Sequence, residues 1–201
     1  MKKLPLDFYR RDNILIVAKE LLGKVLVTRW NGVTTAGRIV EVEAYNGIID
    51  KASHAFGGRR TDRTEIMYAA GGLAYVYLCY GIHYLFNVVT NKKEIPHAIL
   101  VRALEPLIGI AEMQKRNGKK VLDNTLTKGP GNVSKALGIQ KNVTGHSLLS
   151  KELFIADDGF AFNEKQIKKS PRIGVDYAGE DALLHYRYFI KGNPFVSGKQ
   201  G

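Results

Sequence analysis

Gly37-Arg38-Ile39-Val40-Glu41-Val42-Glu43-Ala44-Tyr45 is the stretch on which the reading of this chain turns. Val40, Val42 and Ala44 alternate with Ile39, Glu41, Glu43 and Tyr45, and a period of two marks a β-strand. One face is apolar and belongs on a core. The other carries Glu41, Glu43 and Tyr45 in a row, with alternate residues about 7 Å apart. A carboxylate two residues from an aromatic, on a rigid strand, can hold an acid or base beside a planar ligand. The same pattern also fits a solvated edge with its charges turned outward. Just upstream lies Asn31-Gly32, a strong hairpin signal because a type I′ turn needs positive φ at both central positions. It joins a strand over 24–30 to one over 33–45. Glu43 therefore falls near the end of a hairpin arm, where strand gives way to loop and functional groups often gather.

Outward from this hairpin, Asp12 is placed to cap a helix over 13–22 that Gly23 stops. Residues 46–61 read as a loop containing Ser53 and His54. Asp62 with Glu65 three residues on predicts a short helix over 63–69. Strands follow over 73–80 and 82–90 about a Tyr80-Gly81 turn, then over 97–104. Pro106 opens a helix to 117 that Gly118 closes. A glycine-proline loop spans 127–131 and a short helix 132–138. Strands over 152–156, 173–175 and 186–191 complete the chain. The sum is one α+β domain over residues 1–201, with a mainly antiparallel sheet and short helices.

Composition narrows the function. The 201 residues are 45% hydrophobic and 24% charged, an ordinary globular balance with no internal repeat or low-complexity tract. Lys and Arg number 30 against 19 acids, a net charge of +11. Such an excess favours a polyanionic partner, nucleic acid before membrane, and argues against an enzyme of free nucleosides. The basic residues come as dispersed pairs such as Arg10-Arg11, Arg59-Arg60 and Lys168-Lys169, which suits contacts along a folded surface better than a disordered basic tail. A lone cysteine, Cys79, precludes an intrachain disulfide and fits a reducing, cytoplasmic setting. No apolar stretch reads as a signal peptide or membrane span. The histidines lack paired ligand spacing, so no metal is expected.

Four features carry chemistry. Glu43 with Tyr45 is the first. The second is the run 75–84, which holds four of the chain's ten tyrosines. Aromatic faces interleaved with basic charge suit base stacking. Tyr75 and Tyr84 read as core packing, whereas Tyr80 beside Gly81 could project from a turn and wedge into a duplex. The third is Asn87 in the apolar run Leu85-Phe86-Asn87-Val88-Val89, either a structural hydrogen-bonder or a pocket group. The fourth is Arg102 amid Leu100-Val101 and Ala103-Leu104, which calls for a carboxylate partner, Glu43 or Glu41. Thr127-Lys128-Gly129-Pro130-Gly131-Asn132 lacks the Gly-Lys-Ser/Thr ending of a P-loop, so binding of a nucleoside triphosphate is not expected.

The ordered set Glu41–Tyr45, Ala52-Ser53-His54-Ala55, Arg63-Thr64-Glu65-Ile66-Met67, Ala74-Tyr75-Val76-Tyr77, Tyr80-Gly81, Asn87-Val88-Val89 and Leu100-Val101-Arg102-Ala103-Leu104-Glu105-Pro106 resembles the alkyladenine (3-methyladenine) DNA glycosylase family. Gly129-Pro130-Gly131, Arg172-Ile173-Gly174-Val175 and Gly192–Ser197 extend the resemblance over nearly the whole chain. Ala69-Ala70-Gly71-Gly72 and Phe56-Gly57 depart from the pattern in loops. The resemblance implies a single compact domain around a curved antiparallel sheet. It implies an enzyme that acts on double-stranded DNA containing alkylated or deaminated purines, as a monomer and without a cofactor. The damaged nucleotide would be flipped out of the duplex, with Tyr80 filling the gap. Tyr45 and Tyr77 would sandwich the base, a contact with a cation–π gain for positively charged alkylpurines, and His54 would complete the pocket. Asn87 would reject guanine through its amino group. Glu43 would deprotonate the attacking water, which Arg102 helps to hold. Arg59, Arg63 and Lys135 are carried over as DNA contacts. No lysine nucleophile occupies the motif, which implies a monofunctional glycosylase. The competing class is a non-catalytic basic nucleic-acid-binding protein, which has no need of a carboxylate facing a phosphate-rich ligand.

Overall fold

The computed structural model describes residues 1–198; the last three positions of the domain expected over 1–201 lie outside the described residues. The strands are β1 (Lys2–Lys3), β2 (Val25–Trp30), β3 (Val33–Tyr45), β4 (Leu73–Cys79), β5 (His83–Thr90), β6 (His97–Ile108), β7 (Leu153–Asp157), β8 (Ile167–Ser170) and β9 (Arg187–Ile190). They form one antiparallel sheet in the order β1-β7-β2-β3-β6-β5-β4, with β9 added to β3 and β8 to β9. Four helices, α1 (Leu6–Tyr9), α2 (Ile14–Leu21), α3 (Ile110–Asn117) and α4 (Pro130–Leu137), accompany it. The fold is thus the single α+β domain that the sequence implies.

β3 is the spine because it changes partners along its length. Its first half pairs with β2 through the Asn31-Gly32 turn, and Glu41 to Glu43 pair with β9. Its other edge runs against β6 from Ala36 to Tyr45. Val40, Val42 and Ala44 enter the main core with residues of α2, α3 and α4. The opposite face is buried as well, so Glu41 and Glu43 do not form a solvated edge.

The β3–β6 ladder shifts register three times, twice beside the buried carboxylates. The register runs from Ile39↔Leu104 to Glu41↔Ala103 and then to Val42↔Val101. Val40 and Arg102 are the residues left without a direct opposite. Along β6, Ala98, Leu100 and Arg102 alternate onto the cavity face while Ile99, Val101 and Ala103 enter the core, and Arg102 shares the face of Glu43, which is paired with Leu100. The third shift sets Gly37 opposite Pro106.

Several local expectations give way to tertiary context. Pro106 does not begin a helix: β6 continues through it to Ile108. The helix waits for Gly109, whose φ of +74° suits glycine and whose Cβ would lie 2.4 Å from the Thr34 carbonyl oxygen. Asn13, not Asp12, caps α2, its side chain accepting the N–H groups of Leu15 and Ile16. The helix over 63–69 shrinks to a 3-10 turn, Glu65–Tyr68, and the expected capping pair is not made: Glu65 bonds Arg60 instead. The last expected helix opens earlier, with Pro130 in its first turn. Residues 173–175 are loop rather than strand, and β8 is a strand that its polar sequence did not suggest.

Candidate active site

Glu43 lies at the end of β3 with its carboxylate fully buried. Oε1 accepts the backbone N–H of Ile173 at 2.8 Å. Oε2 accepts the Tyr45 hydroxyl at 2.9 Å and Nη1 of Arg102 at 3.3 Å. The Tyr45 hydroxyl is held protonated: burial, then the neighbouring Glu43 charge, push it well above the usual phenol range. The loop expected to be a strand at 173–175 thus serves the carboxylate with a backbone donor.

Two residues earlier, Glu41 is just as buried and more heavily bonded. Its Oε1 accepts Nε of Arg102 at 3.0 Å, Nε of Arg187 at 2.7 Å and the Ser197 hydroxyl at 3.0 Å. Its Oε2 accepts the Ser197 N–H at 2.7 Å. Arg102 therefore serves both carboxylates, where the sequence offered them as alternatives. A third buried pair stands behind Tyr45. Arg172 forks onto Asp50 at 2.5 and 2.8 Å, and its guanidinium lies 4.9 Å from the Tyr45 ring centre. These salt bridges are buried and multiply hydrogen-bonded, the condition under which buried charge is tolerated.

A cavity of about 550 Å³ opens above this floor. Tyr45, His54, Tyr77, Tyr80, Asn87 and Arg102 all line it, so six of the seven residues expected at the catalytic centre and its base pocket or wedge surround one cavity. Glu43 does not face the cavity; Tyr45 and Arg102 stand between. No ring contact joins Tyr45 to Tyr77 among the described residues, and both rings line the cavity. His54 meets Tyr77 edge-on at 4.6 Å and 80° between planes. Its Nε2 faces the Arg63 guanidinium, which can only donate. Nδ1 therefore carries the proton and donates to the Tyr75 hydroxyl at 2.8 Å. Burial, then Arg63 and Arg59, push His54 down to about 4, so the ring is neutral at pH 7. The Asn87 amide is pinned by Nδ2, which donates to the carbonyls of Tyr75 and Leu85, each at 3.2 Å. That leaves Oδ1 for the cavity. Asn87 is both structural hydrogen-bonder and pocket group.

Tyr80 is set apart. It tips the β4–β5 hairpin with φ +50°, followed by Gly81 at φ +73°. It is 86% exposed, and Leu78 and Ile82 beside it are exposed too. The hairpin is seated on α4 through a close approach, since a Cβ on Gly131 would come within 2.8 Å of the His83 ring. Of the three expected DNA contacts, Arg63 lines the cavity, Arg59 lines a small cleft next to it, and Lys135 is exposed on α4 away from both. The sequence reading missed Tyr75 as a pocket residue. It is buried, and Tyr84 is half-buried against the core as expected, but Tyr75 shares a strand face with Tyr77 and reaches His54. That period-two signal was legible. Arg172, Asp50 and Tyr177, which lines the rim, carry no local signal. No group of three His, Cys, Asp or Glu side chains suited to a metal occurs among the described residues. Nor is any described helix long and apolar enough to cross a membrane.

Comparison with known proteins settles the kinship. A family model for methylpurine-DNA glycosylase (MPG) matches residues 7–194. The chain belongs to the methylpurine-DNA glycosylase family. Full-length relatives agree. A Clostridium perfringens protein is 45% identical, with 98% of this chain and all of the relative covered. One from Clostridium acetobutylicum is 46% identical, covering 97% of each, and one from Bacillus cytotoxicus is 47% identical, covering 97% of this chain and 99% of its own. Each bears the name "Putative 3-methyladenine DNA glycosylase". The family match takes in every strand from β2 to β9, and with them the floor carboxylates, the cavity and the hairpin tip.

Proposed function

We propose that this protein excises alkylated or deaminated purines, 3-methyladenine and hypoxanthine among them, from double-stranded DNA and leaves an abasic site. The observation that carries the reading is the juxtaposition of three things. They are an aromatic-walled cavity, a buried carboxylate one hydrogen bond behind it, and an exposed tyrosine at a hairpin tip beside it. Tyr80 enters the stack as the damaged nucleotide leaves it, and the nucleotide turns into the cavity. The base lies between Tyr45 and Tyr77, where a positively charged alkylpurine gains a cation–π attraction. Asn87 presents an oxygen, and its rigid anchoring means that a purine bearing an extra amino group at that place meets a fixed obstacle.

Glu43 accepts a proton from water as the water oxygen bonds to C1′ of the sugar. The C1′–N bond breaks, and its electron pair leaves with the base. Positive charge develops on the sugar as this happens, and the carboxylate stabilises it. Water reaches Glu43 by taking the place of one donor at Oε2, and Tyr45, which lines the cavity, is the donor that can swing. With no amine nucleophile among the floor residues named above, water adds to C1′, the base is released, and the sugar stays in an intact strand. The enzyme acts as a monomer in the cytoplasm, on DNA drawn by its positive field.

The test is an assay on duplex oligonucleotides that each carry one 3-methyladenine, 7-methylguanine, hypoxanthine or ethenoadenine. Strands should break at the lesion only after alkali treatment of the product. Strands that stay whole with every lesion would overturn the reading, and breakage without alkali would overturn the monofunctional part.

A further inference from the structure

We propose that Glu41 is a positioning residue that holds Arg102 away from Glu43, so that the Glu43 carboxylate keeps its negative charge for the sugar cation. The inference rests on the glycosylase reading of the same site. Its ground is the way one guanidinium is divided. Arg102 spends Nε on Glu41 at 3.0 Å and Nη2 on the Ser197 hydroxyl at 3.2 Å, and only Nη1 reaches Glu43, at 3.3 Å. An arginine left alone with a carboxylate prefers the bidentate fork. Here the fork is prevented, because Glu41 takes Nε and Ser197 takes Nη2.

Glu41 is itself fixed from the far side. Arg187 on β9 reaches it at 2.7 Å, and the Ser197 backbone N–H also at 2.7 Å. Glu41, Glu43, Arg102 and Arg187 are two carboxylates and two guanidiniums, all buried, so the cluster is neutral. Other charged or titratable groups face Glu43 from β3, β4 and the loops: Tyr45 bonds it directly, Tyr77 lies across the cavity wall, and Arg172 with Asp50 forms a self-neutralised pair. Removing the Glu41 charge alone leaves one guanidinium unmatched, and Glu43 is the carboxylate within its reach. Arg102 then closes onto Glu43, and the charge behind the cavity wall is cancelled.

A charge-specific probe separates this role from a structural one. Two duplexes are compared, one with a cationic pyrrolidine ring in place of the sugar and one with the neutral tetrahydrofuran ring. The wild type should prefer the pyrrolidine duplex. Glu41→Gln should lose about tenfold of that preference, the scale on which one opposite charge biases a buried ionised group, while tetrahydrofuran affinity holds. Ser197→Ala frees Nη2 without removing charge, and should lose preference in the same direction by a smaller factor; it decides the question if Glu41→Gln does not fold. Equal loss on both duplexes, or an unchanged preference in the folded variants, would overturn the proposal, as would a wild type with no preference. Wild-type protein that excises no lesion would sink the glycosylase reading instead, and the binding ratio would still judge Glu41.

Discussion

The floor of the cavity and the tip of the β4–β5 hairpin stand at opposite extremes of one molecule. At the floor, Glu41, Glu43, Arg102, Arg172 and Arg187 are buried, and each is held by several hydrogen bonds. At the tip, Leu78, Tyr80 and Ile82 are exposed, and the Tyr80 ring has no aromatic or cationic neighbour among the ring contacts of the described residues. The floor has its geometry before any substrate arrives, as electrostatic stabilisation requires. The tip gains a packed environment only when a partner supplies one. The difference teaches that the two tasks of the proposed reaction, breaking a bond and opening a duplex, are built from contrary materials: satisfied charge for the first, unsatisfied apolar surface for the second.

The largest expected effect comes from the floor. Glu43→Gln keeps the shape and removes both the base and the charge, so single-turnover excision of hypoxanthine should fall by about three orders of magnitude or more. Near-normal excision would erase the contrast. Tyr80→Ala at the tip should weaken binding to a lesion duplex about tenfold or more, the scale of one lost base–aromatic stack. Its melting temperature should stay close to wild type, because exposed substitutions change stability little. A large loss of stability with normal binding would make the tip a core element.

The smallest effect sharpens the comparison by asking what the buried polar residues do away from the floor. His54 and His97 are both pushed down to about 4, chiefly by burial. Unfolded histidine takes up a proton near pH 6.5, whereas these do so only near 4 when folded. Their contribution to stability is therefore complete above about 6.5 and is lost as pH falls toward 4. Thermal melts across that window should show the decline, and His97→Gln should make it shallower. A slope unchanged in the variant would assign the acid loss to other groups.

The legible part of this structure was local. Asn31-Gly32 and the alternation after it placed β3, and the same alternation put Glu43 and Tyr45 on one face. Arg102 announced itself as a charge in an apolar run, and Tyr80 as an aromatic beside a glycine. What stayed hidden was set by distant segments. Nothing near Glu41 tells that Arg187 and Ser197 will seal it, so one face of β3 fitted both a solvated edge and a buried site. Pro106 carried a helix-start signal, but pairing with β3 opposite Gly37 outweighed it. Ile173 and Val175 are strand formers on either side of Gly174, yet the Ile173 N–H is used by Glu43. Lys168-Lys169, both exposed, disguised the edge strand β8.

The most direct test runs Glu43→Gln and Tyr80→Ala through the same two measurements, single-turnover excision at saturating enzyme and affinity for a hypoxanthine duplex. The account predicts a crossing: Glu43→Gln binds as well as wild type or better but loses excision, while Tyr80→Ala loses affinity with a far smaller loss of rate once bound. If Glu43→Gln loses affinity and keeps its bound-state rate, the buried carboxylate is a scaffold and not the base, and the central claim is wrong.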